Sequence, residues 1–301
     1  MSRRIGVLVN PASGRGRVTR SEASVLNGLG SRGDHVIALE GDSAEHADQL
    51  VRQAIADGLD ILVAVGGDGT VNLALQAVVG TDTALGILPL GTGNDAAASV
   101  GIPKDPGAAV QTVLTGNART FDVGHVETAD GTRRHFLCVL SCGFDSMVNE
   151  RANQMTRPAG DSRYIVAMLA ELRRFQPIPY RAVIDGTLVE DDGMLISLAN
   201  GPMFGGGMRV APDADLHDGK LTMIWVHRMS RTRLLRLFPS IYSGSHIKYP
   251  QVEQRQVGAV HLEGTGQVAY ADGERVGHLP VDVTTLSGGV RIIVPSSAPS
   301  A

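Results

Sequence analysis

A glycine-rich turn in the first half of the chain has the residue types of a phosphate and metal site. The turn Gly66-Gly-Asp-Gly-Thr70 follows an uninterrupted apolar run, and a helical pattern begins directly after it. Adjacent glycines leave the backbone open to a ligand, so successive N–H groups can converge on an anion. The positive end of the helix dipole would point at the same place. We therefore expect a phosphate here, with Asp68 beside it for a metal, although a plain tight turn has the same pattern.

Two further loops share these residue types. The turn at residues 91–95 carries Thr92, which can contact a phosphate, and ends in Asn94 and Asp95, which can cap a helix or face a cleft. The loop at residues 10–17 offers a serine and two arginines to an anion, or is a solvated surface loop. It matches neither the P-loop nor the dinucleotide-binding pattern. Three such loops, two of which carry an aspartate, together predict a cleft for a nucleoside triphosphate with Mg²⁺.

These loops need a framework that brings them to one edge. Apolar runs and helical patterns alternate over residues 1–122, which predicts βα units and a parallel sheet. Ligands bind such sheets at the carboxyl ends of the strands, where each glycine-rich loop falls. Strands are predicted at residues 6–9, 36–39, 61–65 and 85–88. Helices are predicted at residues 18–29, 44–56, 71–79, 95–100 and 107–114.

After residue 122 the pattern changes to short alternating runs, which predict a mostly β, sandwich-like domain. The Asp-Gly pairs at 130–131 and 185–186 are strong hairpin signals. Strands are predicted at 121–127, 135–140, 180–183, 188–189, 194–199, 221–226, 257–263, 268–271, 281–285 and 290–294, and helices at 161–175 and 230–243. The fold class is thus α/β plus β. We predict an N-terminal α/β nucleotide-binding domain at 1–122, which the segment near 290–295 could complete, a β-rich domain at 123–294, and a cleft between them.

Composition and charge narrow the partners. The chain has 301 residues and a formal net charge of −4, so a nucleic acid is not expected as a partner. No apolar run approaches the roughly 18 residues of a membrane span, and the first residues lack a signal-peptide core. We expect a cytoplasmic protein that is soluble or peripheral to a membrane. Cys138 and Cys142 are predicted to be buried free thiols rather than a metal pair.

Two apolar segments of the second domain have more than one interpretation. The loop at residues 200–212 is dense in glycine and carries two methionines and a phenylalanine. It suits either an acyl-chain entrance or a packed loop. The helix predicted at residues 230–243 has an apolar face and three arginines in its first half. It either docks on anionic lipid or packs on its own core.

Seven motifs, in this order along the chain, resemble those of the diacylglycerol kinase catalytic family, which includes sphingosine kinases and soluble bacterial lipid kinases. They are Asn10-Pro-Ala-Ser-Gly, Gly66-Gly-Asp-Gly-Thr, Leu90-Gly-Thr-Gly-Asn-Asp, Gly143-Phe-Asp, Ala211-Pro, Asp218-Gly-Lys-Leu and Ala271-Asp-Gly-Glu. The resemblance spans roughly residues 5–294 and looks closest to the soluble bacterial enzymes of actinobacteria. NAD kinases share the second motif and a related fold, so that motif alone does not separate the two families.

The resemblance implies roles for residues at matching positions. It implies that Asp68 lies near a catalytic Mg²⁺ and the phosphates of ATP. Glu274 would be the general base, with Asp272 beside it as a further catalytic residue. The residues expected to line the ATP site are Asn10, Pro11, Ala12, Ser13, Gly14, Ser43, Gly66, Gly67, Asp68, Gly69, Thr70, Val71, Asn72 and Thr92, with Asn94 and Asp95 in the adjoining turn.

The resemblance also implies a structural Mg²⁺ site at residues 213–220. Its ligands would be the side chain or carbonyl of Asp218 and the carbonyls of Asp215 and Lys220. Several relatives have apolar residues around Asp218 where this chain is acidic, so which oxygens bind the metal stays open. A second departure is Ser43, which stands where the family usually has threonine and keeps the hydroxyl.

The function implied by the resemblance is an ATP- and Mg²⁺-dependent lipid kinase that acts at a membrane surface. Diacylglycerol is the expected acceptor and phosphatidic acid the product. A lipid hydroxyl is a poor nucleophile, so the transfer needs a carboxylate to accept its proton and a metal to neutralise charge. Three alternatives remain: a kinase for ceramide or sphingosine, an NAD kinase, and a non-catalytic nucleotide- or lipid-binding regulator. Whether the protein forms a homodimer is open.

Overall fold

The computed structural model describes residues 2–9, 28–29, 33–155, 157 and 161–296, with no side-chain detail at 161–165. The chain divides into two compact units. The first comprises Met1–Val123 and Ser287–Ala301, and the second comprises Gly124–Leu286. Most of the helix predicted at residues 18–29 lies outside the described residues. Within the described chain, no helix is long and apolar enough to cross a membrane.

The first unit is a parallel sheet with helices in the connections. Its strands are β1 (Arg4–Val9), β2 (His35–Glu40), β3 (Ile61–Gly66) and β4 (Ala84–Pro89). Its helices are α1 (Ala44–Ala56), α2 (Asp68–Val78), α3 (Asp95–Ser99) and α4 (Pro106–Thr115). Strand β5 (Asn117–Thr128) leaves this unit, and the last strand, β15 (Val281–Val294), returns to it.

The strand order of this sheet places its binding edge. The order is β2-β1-β3-β4, all parallel, and Ile292 of β15 pairs in parallel with Leu85 of β4. Every residue of β3 and β4 is buried, as expected for central parallel strands. The chain winds in opposite directions from β1, first to β2 and then to β3. The carboxyl ends of β1 and β3 therefore form the switch point where open sheets bind ligands.

The second unit is antiparallel with helical inserts. Its strands are β6 (Arg133–Phe136), β7 (Val139–Gly143), β8 (Ile178–Ile184), β9 (Thr187–Ala199), β10 (Leu221–His227), β11 (Val252–Val257), β12 (Ala259–Gly264), β13 (Val268–Ala271) and β14 (Glu274–His278). Its helices are α5 (Phe144–Gln154), α6 (Asp161–Arg174) and α7 (Arg231–Ser243), followed by a 3₁₀ turn at Ser245–Lys248.

Strand β9 joins two sets of strands in this unit. Its first half, residues 187–193, pairs with β8, which in turn pairs with β12. Its last residues, 195–199, lie between β7 and β10. One long strand thus belongs to both groups. The predicted parallel α/β half and β-rich half are both confirmed.

Both predicted hairpins are confirmed, because β5 pairs with β6 and β8 pairs with β9. In the second, Asp185 and Gly186 have φ angles of 49° and 82°, the left-handed pair of a two-residue turn. The predicted buried free thiols are confirmed at Cys138 and Cys142.

Several predicted boundaries in the second unit are wrong. The single strand predicted at 135–140 is two strands, since the amides of Leu137 and Cys138 turn toward the Asp272 side chain. Helix α5 and strand β14 were not predicted, because their sequences carry only a weak apolar period. The strands predicted at 188–189 and 194–199 are one strand, β9, whose polar middle is exposed. Likewise, the strands predicted at 281–285 and 290–294 are one strand, β15, whose middle is exposed.

A histidine pair on the β5–β6 hairpin should make stability depend on pH. His125 and His135 are directly opposite, with ring centroids 5.0 Å apart. Burial, and then the neighbouring His125, lowers the pKa of His135 to about 4 from its ordinary value of 6.5. Between about pH 6.5 and 4 the unfolded chain therefore binds more protons than the folded protein. The free energy of unfolding falls as the pH drops through this range.

We expect His135→Asn to lose less stability on acidification than the wild type does. The measurement is the thermal midpoint from about pH 7 to pH 4, where a difference of 1 kcal/mol corresponds to roughly 2–4 °C. A variant whose midpoint falls in parallel with the wild type would contradict the assignment.

Candidate active site

Two glycine turns pack against each other at the carboxyl ends of β3 and β4. A Cβ atom added to Gly91 would lie well inside contact distance of the Gly67 backbone. A Cβ atom on Gly66 would overlap the Thr70 hydroxyl. The Leu90 amide also donates to the Gly66 carbonyl at 2.8 Å. These glycines are therefore required by the close approach of the two turns, in addition to any ligand, which the sequence pattern did not reveal.

The Asp68 carboxylate connects the two turns. It accepts hydrogen bonds from the amides of Asn94, at 2.8 Å, and Ala96, at 3.0 Å, at the start of α3. Asn94 has a left-handed φ of 58°, and its side chain forms a ring with Gly91 by accepting from the Gly91 amide and donating to its carbonyl. Asp68 thus caps a helix that belongs to the other turn, and this fixes the position of its carboxylate.

The environment of Asp68 disfavours its negative charge. Burial raises the pKa of Asp68, and so does the negative charge of Asp95, while the amides of Ala96 and Asn94 act in the opposite direction. Asp95 is itself buried in the first turn of α3. Two carboxylates that repel each other beside glycine turns form an environment that a cation would stabilise.

The amino end of α2 is the second feature of this edge. Its N-cap is Gly67, and no side chain hydrogen-bonds to the cap. Gly69 in its first turn is exposed, as is Thr92 in the neighbouring turn. Backbone amides and a helix dipole at such an end attract anions. This geometry suits an anion such as phosphate.

The other residues predicted to line the ATP site differ in their burial and in their contacts. Thr70, Val71 and Asn72 are buried on α2, so they can contribute only through the backbone or by packing. The Ser43 hydroxyl accepts from the His46 amide and caps α1. Residues 10–14, predicted to line the same site, lie outside the described residues.

In the second unit, Asp272 anchors the β13–β14 hairpin. Its carboxylate accepts from three consecutive amides, those of Leu137 at 2.7 Å, Cys138 at 3.0 Å and Val139 at 2.9 Å. Asp272 has a φ of 48° at the tip of the turn. Both oxygens are thus directed at the backbone between β6 and β7. This geometry suits an anchor better than a proton acceptor.

The two strands of the same hairpin are held by Glu150 of α5. One Glu150 oxygen accepts from the Tyr270 hydroxyl at 2.7 Å and from the Arg275 guanidinium at 2.8 Å. The Tyr270 hydrogen bond lowers the pKa of Glu150, whereas burial and then Glu150 raise the pKa of Tyr270 to about 12. Glu274, the first residue of β14, lies between these two anchors and is exposed. Its carboxylate is presented on a hairpin that is fixed on both sides.

An apolar cavity of about 60 Å³ lies elsewhere in the second unit. Its polar wall consists of Asp145, Ser197 and His246. Asp145 accepts from the Ser141 hydroxyl at 2.8 Å. Burial lowers the pKa of His246, whose Nε2 donates to the Val210 carbonyl at 2.9 Å. The apolar lining is Phe144, Met168, Leu172, Leu195, Phe204, Met208, Val210, Ile224, Val226, Leu234, Leu235, Leu237, Phe238 and Ile241.

The loop predicted to hold a structural metal is tied by protein donors. The Asp218 oxygens accept from the Lys220 amide at 2.9 Å and from the Gln256 side chain at 2.8 Å. Asp215 accepts from the His217 amide at 3.0 Å. Across the described residues, no three His, Cys, Asp or Glu side chains converge on a point that could hold a metal. Metal binding at Asp215, Asp218 and Lys220 therefore stays a prediction that depends on backbone oxygens.

Comparison with known proteins covers both units. Residues 4–126 match the diacylglycerol kinase catalytic domain, and residues 138–294 match the YegS C-terminal NAD kinase beta sandwich-like domain. A diacylglycerol kinase of Mycobacterium tuberculosis is 40% identical over 294 residues, which cover 97% of this chain and 95% of that relative. The chain belongs to the diacylglycerol kinase family. The resemblance seen in the motifs is thereby confirmed.

More distant members of the diacylglycerol kinase family also match this chain over nearly its whole length. A diacylglycerol kinase of Staphylococcus aureus is 25% identical over 300 residues, 98% of this chain and 94% of its own length. The crystal structure of a diacylglycerol kinase from Bacillus anthracis has a TM-score of 0.73 at 18% identity, covering 99% of this chain and 98% of that chain. The fold is shared along the whole length. Family membership places this chain among the lipid kinases, and a kinase family implies the use of ATP.

Sequence reasoning missed the residues that position the candidate site of this diacylglycerol kinase. Glu150 and Tyr270 gave no signal, because each acts through one hydrogen bond to a distant segment. The Asn94 ring with Gly91 was signalled only by the Gly-Thr-Gly-Asn spacing. An aspartate before a glycine was the one visible sign of the Asp272 anchor, and it was also the sign of an ordinary turn.

Substitution of the two neighbouring carboxylates of the hairpin should distinguish a residue that anchors the fold from one that takes part in the reaction. We expect Asp272→Ala to destabilise the protein by roughly 1–3 kcal/mol, because three amides lose their acceptor. Glu274→Gln is the matched control, and its unfolding free energy should stay within about 0.5 kcal/mol of the wild type because Glu274 is exposed. Urea unfolding of the two variants is the measurement. Equal losses from both substitutions would contradict the anchor.

Proposed function

We propose that the protein transfers the γ-phosphate of ATP to the hydroxyl of diacylglycerol and forms phosphatidic acid. The observation that supports this best is the pair of packed glycine turns at the ends of β3 and β4. They join an uncapped helix end, which favours phosphate, to two mutually repelling carboxylates, which favour a cation. An ordinary tight turn requires neither feature.

The residues at this edge fit ATP with Mg²⁺. The amino end of α2 and the exposed Thr92 would bind phosphate oxygens. Asp68 and Asp95 would hold the metal, and residues 10–14 and Ser43 complete the proposed site. When bound, Mg²⁺ would neutralise charge on the phosphates. Both Asp68 oxygens accept backbone amides at the start of α3, which fixes the carboxylate in place for a cation.

Glu274 is the proposed proton acceptor for the lipid hydroxyl. It is exposed, and within the described chain its carboxylate has no hydrogen bond or ion pair, so its lone pairs are available. Asp272 and Glu150 take the role of positioning residues: Asp272 holds the turn of the hairpin, and Glu150 holds the Tyr270–Arg275 pair next to it. This assignment replaces the expectation that Asp272 is itself catalytic.

The apolar cavity is the proposed acyl-chain site. Its volume, about 60 Å³, is well below the roughly 300–1,000 Å³ of pockets that enclose a whole drug-sized ligand. Only part of one chain would fit, so the rest of the lipid would stay in its bilayer. The enzyme would then act as a peripheral protein at the membrane surface. An apolar cavity with so little polar lining also favours a lipid over NAD as acceptor.

A side-by-side assay tests the reaction. Radiolabelled ATP is offered with diacylglycerol, ceramide, sphingosine or NAD, and we expect label in diacylglycerol alone. Asp68→Ala and Glu274→Ala should each reduce turnover by at least about a thousandfold, and Glu274→Ala should leave ATP binding within about twofold. Near-normal turnover by Glu274→Ala would refute the base assignment. Label in no acceptor, with ATP still bound, would favour a non-catalytic regulator.

The carboxylate pair predicts how the acid side of the pH profile responds to mutation. The charge of Asp95 raises the pKa of Asp68, so Asp95→Asn should lower that pKa. Because the proposed role of Asp68 needs its ionised form, the acid limb of kcat/KM should move to lower pH in this variant. Raising Mg²⁺ should move the wild-type limb in the same direction. A limb that stays in place or moves upward would contradict the pairing.

A further inference from the structure

Helices α6 and α7 expose apolar side chains that a folded surface normally hides. Among the described residues, six large apolar side chains are exposed, and four of them lie on these two helices. They are Val166, at 43%, and Leu169, at 50%, on α6, and Leu235, at 41%, and Tyr242, at 51%, on α7. A concentration of this kind on one helical pair points to a binding surface.

On α7 these residues form one line along the helix. Arg231, Leu235, Phe238 and Tyr242 are spaced four, three and four residues apart, so about 100° per residue puts them on a single stripe. The Phe238 and Tyr242 rings meet edge to face with centroids 6.5 Å apart. Leu235 and Phe238 also line the apolar cavity. Since Leu235 is both exposed and part of the cavity wall, the stripe forms the rim of the cavity.

Helix α6 borders the same cavity with a similar stripe. Val166, Leu169 and Arg173 are spaced three and four residues apart and share one exposed side. Met168 and Leu172, on the buried side, line the cavity. Both helices thus have an inner face toward the cavity and an exposed apolar stripe with an arginine at one end.

The arginines of the two stripes lie where the helices meet. The Arg231 guanidinium donates to the carbonyl of Phe175, directly after α6, at 2.8 Å. Arg173 and Arg174 are exposed in the last turn of α6. Helix α7 contains no acidic residue. Glu171, the acidic residue in the last turns of α6, is buried and paired with Arg151. A local positive cluster therefore stands out in a chain whose net charge is −4.

We propose that this cavity rim, formed by Val166, Leu169, Arg173, Arg231, Leu235, Phe238 and Tyr242, docks the protein on an anionic phospholipid bilayer. Apolar and aromatic side chains flanked by arginine match the apolar and anionic layers of a membrane interface. The proposal rests on the proposed lipid substrate and deepens it, because docking at the rim would place the acyl chains at the cavity. Leu234 and Leu237 are buried and pack α7 against its own core, so the exposed stripe is not needed for that packing.

A charge substitution outside the cavity lining tests the proposal. Leu169→Glu with Tyr242→Glu changes two rim residues that do not line the cavity. Leu188→Glu with Leu286→Glu is the matched control, because these are the other two exposed large apolar residues, at 50% and 41%. Each protein is mixed, without ATP, with vesicles of phosphatidylcholine alone or with phosphatidylglycerol added, and the bound fraction is measured by flotation.

We expect the rim variant to bind phosphatidylglycerol vesicles at least tenfold more weakly than the wild type, and the control variant to bind like the wild type. Both should keep wild-type melting curves and wild-type turnover on a short-chain, water-dispersed diacylglycerol. Wild-type binding should also weaken with salt and on phosphatidylcholine alone. Equal losses in the two variants, or no loss in the rim variant, would overturn the proposal.

Two results distinguish this proposal from the proposed reaction and from a dimer interface. If the wild type floats through its rim but labels no lipid, docking stands and the proposed reaction fails. If the wild type is a dimer that the rim variant breaks, with vesicle binding unchanged, the rim is an interface between copies and the proposal is overturned.

Discussion

The near contact between Gly67 and Gly91 is the constraint on which the proposed phosphate site depends. A side chain at Gly91 would force the two turns apart, and one at Gly67 would be in tight contact with the Gly91 backbone. Asp68 would then lose its place under the amino end of α3, and with it the amides of Asn94 and Ala96. The repulsion between Asp68 and Asp95 follows from the same closeness. A single steric requirement thus sets both the exposed backbone of the proposed phosphate site and the repulsion between two carboxylates that a cation would relieve.

A carboxylate directed at backbone amides of a distant segment recurs in both units. In each case the aspartate precedes a glycine: Asp68 holds the start of α3, Asp185 holds the amides of Gly258 and Ala259, and Asp272 holds the segment between β6 and β7. The glycine permits the turn, while the carboxylate satisfies amides that have no strand partner. An aspartate in such a motif can therefore serve either a reaction or the fold, and the spacing of the motif alone does not distinguish the two roles. Glu274 differs because it is exposed.

The sequence predicted what depends on local pattern and missed what depends on distant contact. Apolar runs located the parallel strands, and the Asp-Gly pairs located both predicted hairpins. The same patterns could not show that Asp272 interrupts a strand more than a hundred residues earlier, or that Glu150 fixes the hairpin of Glu274. They also could not show which side of the α7 helix is buried, since Leu234 and Leu235 are equally apolar but only the first is covered. Burial of that kind is decided by tertiary packing.

The return of β15 to the first unit has a consequence for the order of synthesis. Strand β4 is buried along its whole length, and one of its edges is covered by the end of β15. A ribosome makes β4 before the entire second unit, and β15 only after it. During that interval β4 has an apolar, unpaired edge, which is the kind of surface that recruits other chains. Covering this edge is therefore a step that only the completed chain can make.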